Sequence, residues 1–371
     1  MAQFLFFLFI LFLCVGQQIC LEININGSSL STPLVPAFFV IGDSTVDCGT
    51  NNYLGTLARA DRPPYGRDFD THQPTGRFCN GRIVVDFLGL PFVPPFLSQR
   101  GEIGGMIHGL NYASAAAGII FSSGSDLGKH VSLSQQMEQV METFQQFQLN
   151  LGREAAGDLI SKSVFYFSIG SNDFIHYYLK NVSGVQSRYL PWEFTKLLTN
   201  SIRQHLENLY AAGVRKIVVM GIGPLGCAPH YLWKHGGEDG QCVSEINNLV
   251  TLFNFGMRFT VDVLNEKLEG SKIIFCDVLK ASVDIMNNHE RYGFDTIKNA
   301  CCGLGRFGGW ITCLLPVMAC HNASSYVWWD QFHPTSAVNQ ILADDIWEGS
   351  QTAHMCYPTH LKHIVKNIDL D

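Results

Sequence analysis

A chain of 371 residues that is 47% hydrophobic and 15% charged can bury a large core and is too apolar to stay disordered. Its formal net charge of -7, with no long basic run, argues against a nucleic-acid partner or an anionic membrane surface. From Phe4 to Val15 every residue is apolar, which suits the core of a signal peptide and is too short to span a bilayer. No Lys or Arg precedes that run, so only the amino terminus supplies positive charge there. The expected organisation is a signal peptide over 1–20 (cleavage between 16 and 26), a loose polar leader over 21–35, and one domain over 36–371. The alternative is an apolar helix that anchors the chain in a membrane.

The first strand expected is Ala37–Ile41, an apolar run that stops at the polar turn of FVIGDSTVD. Residues 80–90, NGRIVVDFLGL, place Ile83, Val84, Phe87 and Leu88 at helical spacing behind Asn80. Further strands are expected at Val164–Ile169, Lys216–Met220 and Lys272–Cys276. Amphipathic helices are expected at 133–151, 193–212 and 244–269, with a last one at Ser336–Trp347. Strands alternating with helices imply a parallel sheet covered on both faces, with ligands bound beyond the carboxyl ends of the strands. Three strands end there in loops: GDS, GSND and GIGPLG.

Ten of the twelve cysteines lie beyond Cys20, as suits an oxidising compartment. Candidate pairs are Cys227 with Cys242, and partners among Cys301, Cys302, Cys313 and Cys320, with the connectivity open. Sequons stand at Asn26, Asn181 and Asn322. The final NIDLD carries no retention signal or hydrophobic tail. Together these features predict a secreted glycoprotein.

Four short stretches carry candidate chemistry. Ser44 could simply cap a helix. As a nucleophile it needs a base within hydrogen-bond reach and an acid to orient that base. In WWDQFHPT, Asp330 and His333 are three apart beside a Pro, so the carboxylate can turn back onto Nδ1–H; read alone, this is an ordinary loop. Asn172 in GSND can offer a side-chain N–H to an oxyanion, or serve only as a turn residue. The small residues of NYASAAAG (111–118) let a backbone N–H approach a substrate, or simply pack tightly.

Together and in this order, FVIGDSTVD, NYASAAAGI, FSIGSND and WWDQFHPT resemble the four blocks of the SGNH hydrolase superfamily, in the version known as plant GDSL esterases/lipases. PPYGRDF, PTGRFCNGR, GIGPLGCAP and CCGLG look like further stretches of that family, so the resemblance covers nearly the whole chain after the leader. It implies a flavodoxin-like three-layer α/β/α fold and carboxylic-ester hydrolysis. By it Ser44 is the nucleophile, His333 the general base and then acid, and Asp330 the group that orients His333. The oxyanion would rest on the N–H of Ser44, on Asn172, and on Ala115 or Gly118. Two departures stand out: Thr45 follows Ser44 where the family name has Leu, and Ala115 follows Ser114 where the family often has Gly.

GIGPLG (221–226) and GLGRFG (303–308) spell a dinucleotide fingerprint, but Pro224 and Pro229 spoil the first as a helix entry and no strand precedes the second. The G-x-S-x-G elbow is absent around Ser44, and no H-E-x-x-H appears, since Arg291 and Tyr292 follow His289-Glu290. Hence neither cofactor nor metal is expected. The reading is an extracellular serine hydrolase, in the apoplast or cell wall, that cleaves small-molecule or lipid esters. Acyl transfer from the same site, or a dormant cell-wall binding protein, are the alternatives. Substrate and oligomeric state stay open.

Overall fold

The computed structural model describes residues 34–366 apart from 91, 350 and 353. The expected signal peptide, most of the leader and the sequon at Asn26 lie outside the described residues. Four five-residue apolar runs form a parallel sheet: β1 (Phe38–Gly42), β2 (Val164–Ser168), β3 (Lys216–Met220) and β4 (Lys272–Cys276). They are buried nearly throughout, which is why each reads as a continuous apolar run rather than an alternating one. A small parallel pair, β5 (Thr296–Ala300) and β6 (Tyr326–Trp328), stands apart from the main sheet. The short β7 (Cys356–Tyr357) closes the β4 edge antiparallel.

At the other edge, Val40 N–H donates to Leu110 O at 2.9 Å and Tyr112 N–H to Val40 O at 2.8 Å. Residues 108–112 thus act as an irregular strand beside β1. The chain leaves β1 outward to 108–112, then crosses back over β1 to make β2. The order of strands is therefore flavodoxin-like, and the crevice where it reverses lies between β1 and β2, beyond their carboxyl ends.

Helices flank this sheet, among them α1 (Val84–Phe87), α2 (Leu133–Leu151), α3 (Arg153–Lys162), α4 (Pro191–Ala211), α5 (Ser244–Lys267), α6 (Val278–Asn287) and α7 (Ser336–Glu348). Ser132 and Gln135 close a capping box at the start of α2, which buries Met137, Val140, Phe144 and Phe147. Phe39 stacks on Phe165 at 4.7 Å between centroids and meets Phe144 edge-on, so strand and helix share one core.

One expected helix is much shorter than its pattern. Only Val84–Phe87 of residues 80–90 is helical. Asn80 is spent on tertiary bonds, its Oδ1 taking Ser336 N–H at 2.9 Å and its Nδ2 donating to Asp68 at 2.8 Å. Asp86 caps Ile83 N–H and pairs with buried Arg77, and Gly89 ends the turn at φ 66°. The apolar positions face the core, but cross-links rather than a helix hold them there.

Candidate active site

Ser44 sits where β1 ends. Gly42 leaves no room for a Cβ, which would collide with Ser168 O. Its N–H donates to Gln136 Oε1 at 2.9 Å and its carbonyl accepts Gln136 Nε2 at 2.8 Å, so α2 clamps the strand end. Asp43 turns inward. Its Oδ1 accepts Thr45 N–H at 3.0 Å and the Thr45 hydroxyl at 2.8 Å, which wraps the turn around the Ser44 backbone. Burial pushes the Asp43 pKa up to about 6, against the opposing pull of those Thr45 bonds.

Asp330 and His333 come from the loop between β6 and α7. Trp329 N–H donates to His333 O at 2.8 Å, closing the loop on itself. Its outer flank is tied to the disulfide-bonded segment: Cys301 and Cys302 N–H donate to Trp328 O and Trp329 O at 2.9 and 2.7 Å. Asp330 Oδ1 accepts Phe332 N–H at 3.0 Å and His333 N–H at 2.9 Å. His333 Nδ1 lies 2.8 and 2.9 Å from the two Asp330 oxygens, so Nδ1–H donates there and Nε2 is left to accept from Ser44 Oγ at 2.8 Å. Burial alone would raise the Asp330 pKa; the His333 charge and hydrogen bonds outweigh it and hold the carboxyl below its ordinary value.

Two residues around this chain escaped the sequence reading. Tyr65 donates its hydroxyl to Asp330 Oδ2 at 2.8 Å. The Phe78 ring lies 5.1 Å from that of His333. Both stand in stretches noted for family resemblance alone, PPYGRDF and PTGRFCNGR. The signal was a buried-type aromatic between turn residues, with nothing local to show what it would meet.

Of the N–H groups expected to face an oxyanion, the choice between Ala115 and Gly118 needs correcting. Ala115 N–H donates to Asp47 Oδ2 at 3.0 Å and so is occupied. Gly118 does not line the cavity at Ser44; a Cβ there would meet Ser123 and Asp173. Between them, Ala116 lines the cavity, adopts φ 69°, and its N–H has no partner among the described residues. Ser44 N–H has none either. Asn172 is buried beside them and one N–H of its amide donates to Ala117 O at 2.9 Å, leaving the second free. The loop that presents Ala116 is braced by Asp173, which accepts Ile119 and Ile120 N–H at 2.8 Å each and Ser123 Oγ–H at 2.7 Å. Asn172 opens a π-helical turn, Asp173–Tyr178, a rare form that recurs at functional sites.

An open cavity of about 670 Å³ surrounds Ser44, His333, Ala116 and Asn172. Its wall is mostly apolar, with Arg62, Lys180 and Lys234 toward the outside. His230 also lines it; burial lowers its pKa to about 4, so it is neutral near neutral pH. Among the described residues no group of three His, Cys, Asp or Glu is placed to hold a metal. The GIGPLG loop after β3 leads into a short 3-10 turn, where Gly226 N–H donates to Asn247 and Cys227 is bonded to Cys242, so it is built around protein partners. The sequons at Asn181 and Asn322 are exposed.

Comparison with known proteins follows the same residues. The family described as GDSL-like lipase/acylhydrolase matches residues 38–346. GDSL esterase/lipase 7 of Arabidopsis thaliana is 42% identical over 92% of this chain and 95% of its own length. Two further GDSL esterases/lipases of that plant are 41% identical over 91% of this chain and 89% of their own, and 39% over 89% of each.

Proposed function

This chain belongs to the GDSL-like lipase/acylhydrolase family and is a carboxylic ester hydrolase, and on that premise we propose that it is a secreted enzyme working through an acyl-enzyme on Ser44. The observation that carries the reading is the hydrogen-bonded chain from Ser44 Oγ through His333 to Asp330, at 2.8 Å for each link. As Ser44 Oγ attacks the ester carbonyl, its proton passes to His333 Nε2. The carbonyl oxygen becomes an oxyanion, met by the N–H groups of Ser44, Ala116 and Asn172. Collapse expels the alkoxide, which takes the proton back from His333. Water then repeats the sequence on the acyl-enzyme and frees the acid. Asp330, kept ionised by its donors, holds the tautomer and offsets the charge that His333 gains.

A fluorophosphonate probe tests this without a guess at the substrate. Wild-type protein should label, and Ser44→Ala should not; labelling that persists in Ser44→Ala refutes the assignment. In ester turnover, Ser44→Ala and His333→Ala should cost roughly 10⁶-fold and Asp330→Ala roughly 10⁴-fold. Release of free acid, rather than transfer to an added alcohol, separates hydrolysis from acyl transfer. Four disulfides among the described residues, exposed sequons and the apolar run before Gly16 support export. No helix among the described residues is long and apolar enough to cross a membrane. N-terminal sequencing of the exported protein should find a start shortly after Gly16 or Cys20; an intact Met1 would count against export by cleavage.

A further inference from the structure

Behind the open cavity lies a second, smaller one of about 110 Å³, lined by carbon-rich side chains that include Val46, Ile169, Met220, Val278, Met286 and Leu342. Four residues line both cavities: Thr45, Ser171, Leu225 and Phe332. They form a thin septum, and Thr45 is the residue next to the nucleophile. We propose that this inner cavity is the acyl-chain site, a recess for a medium-length aliphatic tail reached past Phe332. The inference rests on the acyl-enzyme reading of Ser44.

The chemistry decides which end of the ester belongs where. The alcohol takes its proton from His333 Nε2 and must leave, and water must follow it to the same place. That half of the ester therefore needs the open cavity, where His333 stands. The acyl tail stays covalently attached until the last step and needs no exit of its own, so the smaller, more apolar recess suits it. The Thr45 hydroxyl is tied to Asp43 at 2.8 Å and to Ser168 at 2.9 Å, so Thr45 adds no free polar group to the septum. The Phe332 backbone is pinned by its N–H to Asp330, while its ring is half-buried and packs against His230 at 5.0 Å between centroids. Rotation of that ring is the motion that joins the two cavities. Taking ~30 Å³ for a group the size of a water or a methylene, the recess holds about four methylenes. Each one buried favours the longer ester about fourfold.

The test is kcat/KM for p-nitrophenyl acetate, butanoate, hexanoate, octanoate and decanoate, using the full exported chain. Wild-type values should climb on the order of 100-fold from acetate to hexanoate and then level off. Val278→Phe and Ser282→Leu each add bulk inside the recess, away from Ser44, Asp330 and His333. Either should cost about tenfold or more on hexanoate while leaving acetate turnover unchanged. Phe332→Ala removes the septum ring and should raise octanoate relative to acetate. Two substitutions guard against one failing to fold, since either alone carries the comparison. If both fold and keep the wild-type chain-length profile, the void is a packing defect and the proposal falls while the ester-hydrolase reading stands. A wild type that turns over none of the esters overturns the reading of Ser44 and the recess with it.

Discussion

Tyr65 shows how far Asp330, the carboxylate proposed to orient His333, depends on neighbours distant in sequence. Asp330 is buried, and a buried carboxylate persists only while its oxygens find donors. Three come from its own loop, and the fourth is a hydroxyl 265 residues away. Tyr65→Phe should lower kcat about tenfold, in line with the loss of one hydrogen bond to a charged group, and leave KM unchanged. A raised KM at constant kcat would instead make Tyr65 a substrate contact, since it also lines the open cavity. Asp43 sits in the opposite regime. Its folded pKa of about 6 stands above the ordinary 3.8, so the folded chain holds this proton more tightly than the unfolded chain. Stability from this group is full below about pH 4 and is lost as pH rises through about 6. Asp43→Asn keeps an acceptor for Thr45 and removes the titration. Its Tm should gain on wild type as pH rises across that window, by the equivalent of about 1–3 kcal/mol, then run parallel. A constant offset at every pH would refute the assignment.

At the scale of elements, the loops after the strands do different work from the strands themselves. NYASAAAG is the clearest case. Ala113 N–H is held by Asn111 Oδ1 at 2.9 Å, Ser114 N–H by Gly42 O at 3.1 Å, Ala115 N–H by Asp47 and Ala117 N–H by Ser114 O at 3.1 Å. Ala116 is left facing the cavity in a left-handed conformation that costs an L-residue about 1–2 kcal/mol. Ala116→Gly relieves that strain, offset in part by the greater freedom of Gly in the unfolded chain. It should stabilise the protein by about 0.5–1 kcal/mol in urea unfolding, with ester turnover retained. Destabilisation would mean that the alanine methyl is needed for packing. The choice among Ala115, Ala116 and Gly118 was illegible in the sequence, because all three are small and the deciding partner, Asp47, lies 68 residues before Ala115. The same limit explains residues 80–90: periodicity reported which side chains are buried, but not that Asn80 and Asp86 would bond across the fold.

For the whole molecule, the disulfides divide into two kinds. Cys276–Cys356 joins β4 to the edge strand β7 across 80 residues, and Cys302–Cys313 closes a loop of 11 beside the Asp330–His333 loop. By loop-closure entropy the first is worth about 4–5 kcal/mol and the second about 3 kcal/mol. Replacing Cys276 and Cys356 by Ser should therefore lower Tm more, with kcat at room temperature unchanged. Replacing Cys302 and Cys313 should lower Tm less but cut kcat, because Cys302 N–H supports Trp329, one residue before Asp330. Equal effects on kcat would show that the Asp330–His333 loop holds itself. The long pairing was not anticipated, since nothing near Cys276 marks a partner beyond α7. Cys227–Cys242 was anticipated, because the two stand close along the chain on either side of one helix and its turn.

The sequence by itself determined the alternating α/β order, the four parallel strands to within a residue at their ends, the long helices, and which polar residues are candidates for chemistry. These are local properties: apolar runs, helical periodicity and short motifs act over a few residues, and burial of those patterns admits few arrangements. Only the tertiary structure decided that residues 108–112 complete the sheet beside β1, that Tyr65 secures Asp330, that Ala116 rather than its neighbours has a free N–H, and that a recess lies one residue from Ser44. Each depends on hydrogen bonds and packing between segments far apart in the chain, where a difference of an ångström or one already-occupied donor changes the chemistry and no local pattern records it.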